Sequence, residues 1–444
     1  MRRRLLWLHR YVGLVLALFL LLAGLTGALL VWYEELDAAL NPRLMRVEPP
    51  APDARPLDAL ALRSRVQAAY PQLRADLVSF KEAPNRARSF WLTASFDPAH
   101  TTTEASSGLE VFVDPYSGAV LGSRRWGDIG QGLTNLMPFV YRLHYQLALG
   151  TVGTWLFGLI ALLWTLDCFV GAYLTLPATP RTRRNAAPAL GARWWARWRP
   201  AWSLRWNAGA HRLQFDLHRA GGLWLWALLL VFAWSSVGLN LSPVYTPVMG
   251  LFFDQQTRHQ AIPALPEGPR EPAMDWPQAV AHGQQLMAEA AEREGFQVVR
   301  ADRLAYDPQQ GVFRYTVRSS RDVMDKWGAT SLYFAASTGE SLALFLPSGK
   351  AAGDTLTSWF YGLHFAALWG LPWRLFVTLM GLAVATLSLT GVLIWWRKRS
   401  ARGRSRQQRR ATPCPTEQAP SSSEASAAGS ISKTGRERGA LPSR

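Results

Sequence analysis

Histidines recur at matching positions beside the long apolar runs of this 444-residue chain. His9 and His218 each begin a His-Arg-x-x-Gly-Leu motif at the start of such a run. His144 and His364 each stand in a Leu-His-aromatic motif just before another. Two facing imidazoles can bind the iron of a planar porphyrin from both sides, and no Cys-x-x-Cys-His motif for covalent attachment is present. The pattern therefore predicts two b-type haems, one between His9 and His218 and one between His144 and His364, with nearby glycines leaving room for the macrocycle.

Other interpretations of these histidines remain open. A histidine at a helix end can simply hydrogen-bond at the membrane interface, although four at repeated positions favour ligands. His211 lies two helical turns before His218 and is an alternative ligand. A zinc site is disfavoured, because Cys, Asp and Glu do not cluster around the four motif histidines.

Four apolar runs must position these histidines. They cover Val12–Tyr33, Val152–Leu176, Gly221–Leu241 and roughly Pro372–Trp396. Each has about the 20 residues that a helix needs to cross a hydrocarbon core. Asp167 and Arg374 are the charged exceptions, and the sequence alone assigns no role to Asp167.

The positive charge of the chain marks one side of the membrane. The net charge is +17, from 48 Lys and Arg against 31 Asp and Glu. Residues 1–10, 177–219 and 397–444 hold 25 of those 48 basic residues but only four of the 31 acids, and each segment adjoins an apolar run. The positive-inside rule places these segments, and both termini, in the cytoplasm. Their charge, and the Trp- and Arg-rich stretch 194–206, indicate contact with the lipid bilayer and not with nucleic acid.

The two halves of the chain repeat each other. The stretches Val111–Gly118 and Leu332–Gly339 each predict a strand, a glycine turn and the start of a second strand, and helix-like stretches (57–70 and 276–294) precede them. Offsets of 209, 220 and 221 residues indicate a tandem duplication. The predicted fold class is membrane α-helical: a four-helix transmembrane bundle with two outer α+β modules.

This organisation divides the chain into eight predicted segments. They are 1–33 (cytoplasmic N-terminus and transmembrane helix 1), 34–143 (first outer module), 144–176 (transmembrane helix 2), 177–217 (cytoplasmic loop), 218–241 (transmembrane helix 3), 242–363 (second outer module), 364–396 (transmembrane helix 4) and 397–444 (disordered cytoplasmic tail).

Residues 1–400 resemble the PepSY-associated transmembrane helix family of bacterial inner-membrane proteins. The resemblance rests on Leu-His-Arg-Tyr-Val-Gly-Leu, Val-Asp-Pro-Tyr-Ser-Gly, Asp-Leu-His-Arg-Ala-Gly-Gly-Leu-Trp and the two Leu-His-aromatic segments. It implies periplasmic PepSY-like modules and, as in its iron-regulated ferric-siderophore reductases, two b haems bound by His9, His144, His218 and His364. The second module departs from the pattern, with Ala-Ala-Ser-Thr-Gly where the first has Asp-Pro-Tyr-Ser-Gly.

We therefore expect an inner-membrane oxidoreductase with two b haems. It would take electrons from an unidentified cytoplasmic or membrane donor and reduce a periplasmic ferric chelate, chiefly a ferric siderophore, to release Fe(II). Two alternatives remain open. One is a non-redox sensor or peptidase regulator that acts through the PepSY-like modules, and the other is a haem subunit that passes electrons to a separate enzyme.

Overall fold

Helices and antiparallel strands alternate along the chain. The structure, a computed structural model, describes residues 1–82, 85–94, 108–178, 190–256, 262–265 and 271–411. The tail predicted to be disordered lies outside these residues from position 412 onward. The described helices are α1 Arg2–Leu30, α2 Tyr33–Leu40, α3 Pro42–Met45, α4 Ala59–Ala69, α5 Leu136–Gln146, α6 Gly150–Thr175, α7 Leu190–Trp198, α8 Ala210–Trp224, α9 Trp226–Asn240, α10 Ser242–Gly250, α11 Trp276–Glu294, α12 Ala352–His364 and α13 Gly370–Ala411.

Three helices are long and apolar enough to cross a membrane: α1, α6 and the Gly370–Ala401 part of α13. The third predicted run, Gly221–Leu241, is not one straight helix. Helices α8 and α9 meet at a bend of 69° and have the length and composition of a span only as a pair. The bend follows the Gly221-Gly222 pair, where the helix backbone is least restrained. With its 15 residues, α9 alone is about 22 Å long, which is shorter than the hydrocarbon core.

Glycines bring α1 and α13 into backbone contact. A Cβ on Gly24 would lie 2.5 Å from the carbonyl oxygen of Gly381, and one on Gly381 would lie 2.6 Å from that of Gly24. Small residues allow the same close approach between helices in membranes. At the end of this contact, the Arg374 guanidinium pairs with the Glu35 carboxylate at 2.7 Å. The two helices are therefore held together over much of their length.

The short helices α5 and α12 come directly before α6 and α13. The predicted segments 144–176 and 364–396 each contain the end of one helix, a corner and a second helix. Four non-glycine residues at these corners have a left-handed backbone, with φ between 51° and 55°: Leu147, Ala148, Ala366 and Trp369. Such a conformation costs about 1–3 kcal/mol per residue, so the surrounding packing must fix both corners. The corners in turn fix where His144 and His364 stand.

Nine described strands form two antiparallel sheets. They are β1 Leu73–Ala75, β2 Leu77–Ser79, β3 Arg88–Ala94, β4 Leu109–Val113, β5 Val120–Arg125, β6 Val298–Asp307, β7 Val312–Ser319, β8 Thr330–Ala335 and β9 Ser341–Phe345. The first sheet has the order β1-β3-β4-β5 and the second has β2-β6-β7-β8-β9. The predicted strand–turn–strand units are confirmed as β4–β5 and β8–β9.

One short stretch of chain belongs to both sheets. Only Asp76 separates β1 from β2, yet Ala75 pairs with Leu92 in the first sheet, and Val78 pairs with Leu304 in the second. The sequence predicted two separate modules. Residues 73–79 instead interlock them, because the first half of the chain supplies an edge strand to the sheet of the second.

Each sheet packs one face against a helix. Leu62 and Val66 of α4 lie in the core of the first sheet, and Ala279 and Met287 of α11 lie in that of the second. Both helices begin at an aspartate that accepts hydrogen bonds from the first turn, Asp58 for α4 and Asp275 for α11. The helices predicted over 57–70 and 276–294 are thereby confirmed.

A buried ion cluster ties the other face of the first sheet to α2. Arg124 of β5 donates to both carboxylate oxygens of Asp37, at 2.9 and 2.7 Å, and through Nε to Glu110 at 2.8 Å. Asp37 is fully buried, and burial raises the pKa of the neighbouring Glu110 carboxyl. Because α2 follows α1 directly, the cluster fixes the first sheet to the end of the first apolar helix.

Candidate functional site

The structure brings the four predicted histidines together in the two expected pairs. The rings of His9 on α1 and His218 on α8 have their centres 6.3 Å apart and are twisted by 52°. The rings of His144 on α5 and His364 on α12 have their centres 6.4 Å apart and are twisted by 71°. Each pair joins a residue of the first half of the chain to one of the second.

Hydroxyl groups hold the rings of the His144/His364 pair. The Nδ1 atom of His144 lies 2.9 Å from Thr26 Oγ1, and that of His364 lies 2.7 Å from Ser235 Oγ. Thr26 donates its own proton to the carbonyl of Leu22, and Ser235 donates to that of Phe232. Since both hydroxyl protons are used in this way, the hydroxyl oxygens accept the Nδ1–H of the histidines.

Stronger acceptors hold the rings of the His9/His218 pair. The Nδ1–H of His9 faces both carboxylate oxygens of Asp167, at 2.9 and 3.0 Å. The Nδ1–H of His218 donates to the carbonyl of Leu387 at 3.0 Å, with Thr390 Oγ1 at 3.2 Å. Within the described part of the chain, all hydrogen bonds of the four rings involve Nδ1. This assigns the proton to Nδ1 and leaves each Nε2 with a lone pair that can bind a metal ion.

The supporting residues follow the same spacing as the histidines. Thr26 and Ser235 are 209 residues apart, as are His9 and His218. Asp167 and Leu387 are 220 residues apart, as are His144 and His364. Sequence reasoning missed Thr26 and Ser235, although a search for polar residues repeated at these offsets inside apolar runs would have found them.

Helix α1 spans the distance between the two pairs. His9 lies near its beginning, and Thr26, which holds His144, lies 17 residues later. At 1.5 Å per residue, the two levels are about 25 Å apart along the helix axis. The pairs therefore stand near opposite ends of the apolar helices.

Glycines allow three of the rings to approach neighbouring helices. A Cβ on Gly27 would lie 3.1 Å from Cε1 of His144. On Gly171 it would lie 3.4 Å from Cε1 of His9, and on Gly391 3.2 Å from Cε1 of His218. The sequence predicted that glycines clear space for a macrocycle, but these three make room for the imidazoles themselves.

The glycines of the His-Arg-x-x-Gly-Leu motifs have different surroundings. Gly13 and Gly222 each follow their histidine by four residues and so lie on the same helix face. An added Cβ at either position would meet no atom within 4 Å in the part of the chain that the structure describes. Space for a flat group therefore exists one turn beyond His9 and His218.

Both pairs meet the distance criterion for two imidazoles on one metal ion. Metal–nitrogen bonds of about 2 Å, and about 1 Å more to each ring centre, would put the centres about 6 Å apart. The observed spacings of 6.3 and 6.4 Å agree, and the twist of the rings excludes direct face-to-face stacking. The residues present thus fit an iron atom held between two imidazoles, as in a six-coordinate haem.

His211, the alternative ligand, lies outside this arrangement. Its side chain is exposed on α8, and among the described residues it makes no ring contact with the four paired histidines. Gln214, between His211 and His218, has a buried Nε2 without a hydrogen-bond partner in the described structure. It lies one turn from His218 on the same helix face, where it could donate to a bound polar group.

Aromatic rings lead from the His144/His364 pair toward the second sheet. The ring of Phe365 lies 5.7 Å from that of His364 and 6.0 Å from that of Trp327, in the loop between β7 and β8. The backbone N–H of Asp325 in this loop donates to the carbonyl of Ala367 at 2.8 Å. The second sheet is thereby attached to the corner that positions His364.

Positive side chains surround the end of α1 on this side. Lys326 pairs with Glu34 at 2.9 Å. Burial by itself raises the pKa of Glu34, but Lys326, with Lys81 and Arg86, lowers it below its ordinary value overall. Both partners are more than a third exposed, so water can reach this basic group of residues.

Comparison with known proteins identifies the conserved framework of this site. A family model described as the PepSY-associated TM region matches residues 6–398. The matched region contains all four paired histidines and the residues that hold their Nδ1 atoms. No curated protein shows a significant match to the chain.

Proposed function

Because the chain belongs to the family of proteins with a PepSY-associated transmembrane region, we propose that it is a bacterial inner-membrane electron-transfer protein with two b-type haems. It reduces ferric chelates, of the ferric-siderophore class, on the periplasmic side. The observation that carries the proposal is the presence of two histidine pairs, near opposite ends of the apolar helices, with the ring spacing of bis-imidazole metal sites.

Each pair would hold one haem iron between its two Nε2 atoms. Bound haem supplies reversible one-electron chemistry between Fe(III) and Fe(II). The chain holds each ring through Nδ1, and the apolar helices around the pairs exclude water. Fixing the tautomer and ring orientation in this way also makes each Nε2 a better ligand.

The proposed arrangement in the membrane is a four-span bundle, formed by tandem duplication, with both termini in the cytoplasm. Arg2 donates to the carbonyls of Leu174 and Leu176, both at 2.8 Å, so the beginning of α1 and the end of α6 lie on one side. Exposed tryptophans near α7, such as Trp195 and Trp206, suit the headgroup region on that same side. The two sheets then lie in the periplasm.

The substrate side is the one that carries the His144/His364 pair. There the iron of a ferric chelate gains one electron from the protein and becomes Fe(II), which hard oxygen ligands hold less tightly. A reduced donor in the cytoplasm or membrane replaces that electron. Lys81, Arg86 and Lys326 favour an anionic chelate near the end of α1. The rings of Phe365 and Trp327 link this region to His364.

An absorption spectrum of the protein purified from haem-replete cells tests the cofactor. We expect b-type bands that sharpen and shift on reduction with dithionite, and two haems per chain. A non-redox regulator predicts that no haem copurifies and that His144→Ala and His364→Ala leave function intact. That result would overturn the proposal.

Anaerobic stopped-flow mixing tests the substrate. Dithionite-reduced protein, freed of excess reductant, should be re-oxidised by a ferric siderophore with release of Fe(II). The same siderophore loaded with Ga(III) is the control, since gallium has the charge and size of ferric iron but accepts no electron here. If the ferric form also leaves the protein reduced, the alternative of a haem subunit for a separate enzyme gains support.

A further inference from the structure

The Nδ1 partner of His9 differs in charge from those of the other three paired histidines. His144 and His364 donate to neutral hydroxyls. His218 donates to the carbonyl of Leu387, beside the Thr390 hydroxyl. Among these partners, the carboxylate of Asp167 is the acidic one. The two pairs are thus similar in ring spacing but unequal in charge.

Asp167 is placed to act on His9. Both carboxylate oxygens lie within 3.0 Å of Nδ1, and the side chain is 11% exposed. At the position 220 residues later, the second half has Leu387, which uses its backbone carbonyl for the same purpose. A carboxylate inside an apolar helix is costly, so its retention there calls for a function.

We propose that Asp167 makes the His9/His218 site the one with the lower reduction potential, so that electrons move outward downhill. This inference rests on the proposed function. A carboxylate that accepts the Nδ1–H of a ligating histidine raises the basicity of the ligand. A more basic ligand stabilises ferric iron over ferrous iron, which lowers the potential. The neutral acceptors of the His144/His364 pair have a weaker effect.

The consequence is a direction for electron flow. One electron that moves outward leaves ferric iron at the His9/His218 site and ferrous iron at the His144/His364 site. No bond is formed or broken, and no proton needs to cross the membrane with it. Asp167 acts only through His9 and is therefore a positioning and tuning residue.

A potentiometric titration of the purified holoprotein, followed by absorbance, tests the proposal. We expect two midpoint potentials in the unsubstituted protein. Removal of the His144/His364 site by His144→Ala should leave the lower one. In Asp167→Asn the lower midpoint should rise and the higher one should stay in place, whereas Asp167→Glu, which keeps the charge, should keep the lower midpoint low. Thr26→Val is the matched control, and it should change only the higher midpoint.

Several results would overturn the inference. One is an Asp167→Asn protein with two haems and an unchanged lower midpoint, and another is an equal rise in Asp167→Asn and Asp167→Glu. If both variants retain only the haem of the other pair, Asp167 serves to retain haem, and the redox assignment is wrong. Absence of haem from the unsubstituted protein would instead contradict the proposed function itself.

Discussion

Thr26 and Ser235 stand 209 residues apart, and each accepts the Nδ1–H of the histidine from its own half of the chain, at 2.9 and 2.7 Å. Each uses its hydroxyl proton on a carbonyl of its own helix, so neither can donate to the imidazole. The result is that His144 and His364 face each other with both Nε2 lone pairs available. Two hydroxyls thereby determine the chemistry of this pair.

Removal of either hydroxyl should weaken metal binding without unfolding the protein. Thr26→Val and Ser235→Ala leave a buried Nδ1–H without an acceptor, and loss of such a partner typically costs about 10–100-fold in metal affinity. Titration of the apoprotein with haem measures the effect. Thr386→Val is the control, because this exposed hydroxyl bonds only to the carbonyl of Leu382 on its own helix. Equal affinities in all four proteins would contradict the assigned role.

Single histidine substitutions should remove one haem each. In His9→Ala and in His144→Ala, one axial ligand is lost and the haem content should fall from two per chain to one, as measured by pyridine haemochrome assay. His211→Ala should retain both, since His211 is exposed and stands apart from the pairs. Loss of a haem in His211→Ala, with retention in His218→Ala, would instead establish the alternative ligand.

Two kinds of glycine substitution should separate protein packing from cofactor space. Gly391→Ala puts a Cβ 3.2 Å from the His218 ring and should disturb the ligand even in the apoprotein. Gly222→Leu points into space where no described atom lies within 4 Å of a Cβ, so the apoprotein should fold normally but lose the haem of that pair. Circular dichroism and haem content together check both. A Gly222→Leu protein with two haems would show that the macrocycle does not occupy this space.

Buried and exposed ion pairs should contribute very differently to stability. Arg124→Met leaves the fully buried Asp37 carboxylate without its partner, and breaking a buried pair in this way costs about 3–5 kcal/mol. Lys326→Met breaks a pair that is largely exposed, for which about 0–1 kcal/mol is typical. Thermal unfolding in detergent should rank the variants in this order, and a reversed order would refute the buried cluster.

The pair of Glu34 and Lys326 should also give a small dependence of stability on pH. The pKa of Glu34 is lowered in the folded protein, so the pair stabilises the fold above the ordinary glutamate pKa. That contribution disappears as the pH falls through the lowered value. Glu34→Gln should therefore be slightly less stable at neutral pH and equal to the unsubstituted protein in acid. A difference that grows in acid would have the wrong sign.

The pairing of the histidines could be predicted from the sequence because one repeated offset placed each of them beside an apolar run. Asp167 offered no such signal, since the equivalent position has Leu387 and the second half supplies a carbonyl instead. Hydropathy predicted the third run but not its bend, which depends on how easily the backbone yields after Gly221. The separation of His144 from α6 depends on left-handed corner residues that tertiary packing holds in place.

The strand pairing at residues 73–79 bears on how such a chain could arise and be divided. A polypeptide with only the first half would have Leu77–Ser79 without the partner strand that Arg303–Ala305 provide, and an unpaired edge invites pairing with another molecule. Two copies of one ancestral half could satisfy each other by exchanging this segment, and fusion of the copies would make the exchange permanent. For the same reason, neither sheet is a self-sufficient fragment, and the pair must be produced as one polypeptide.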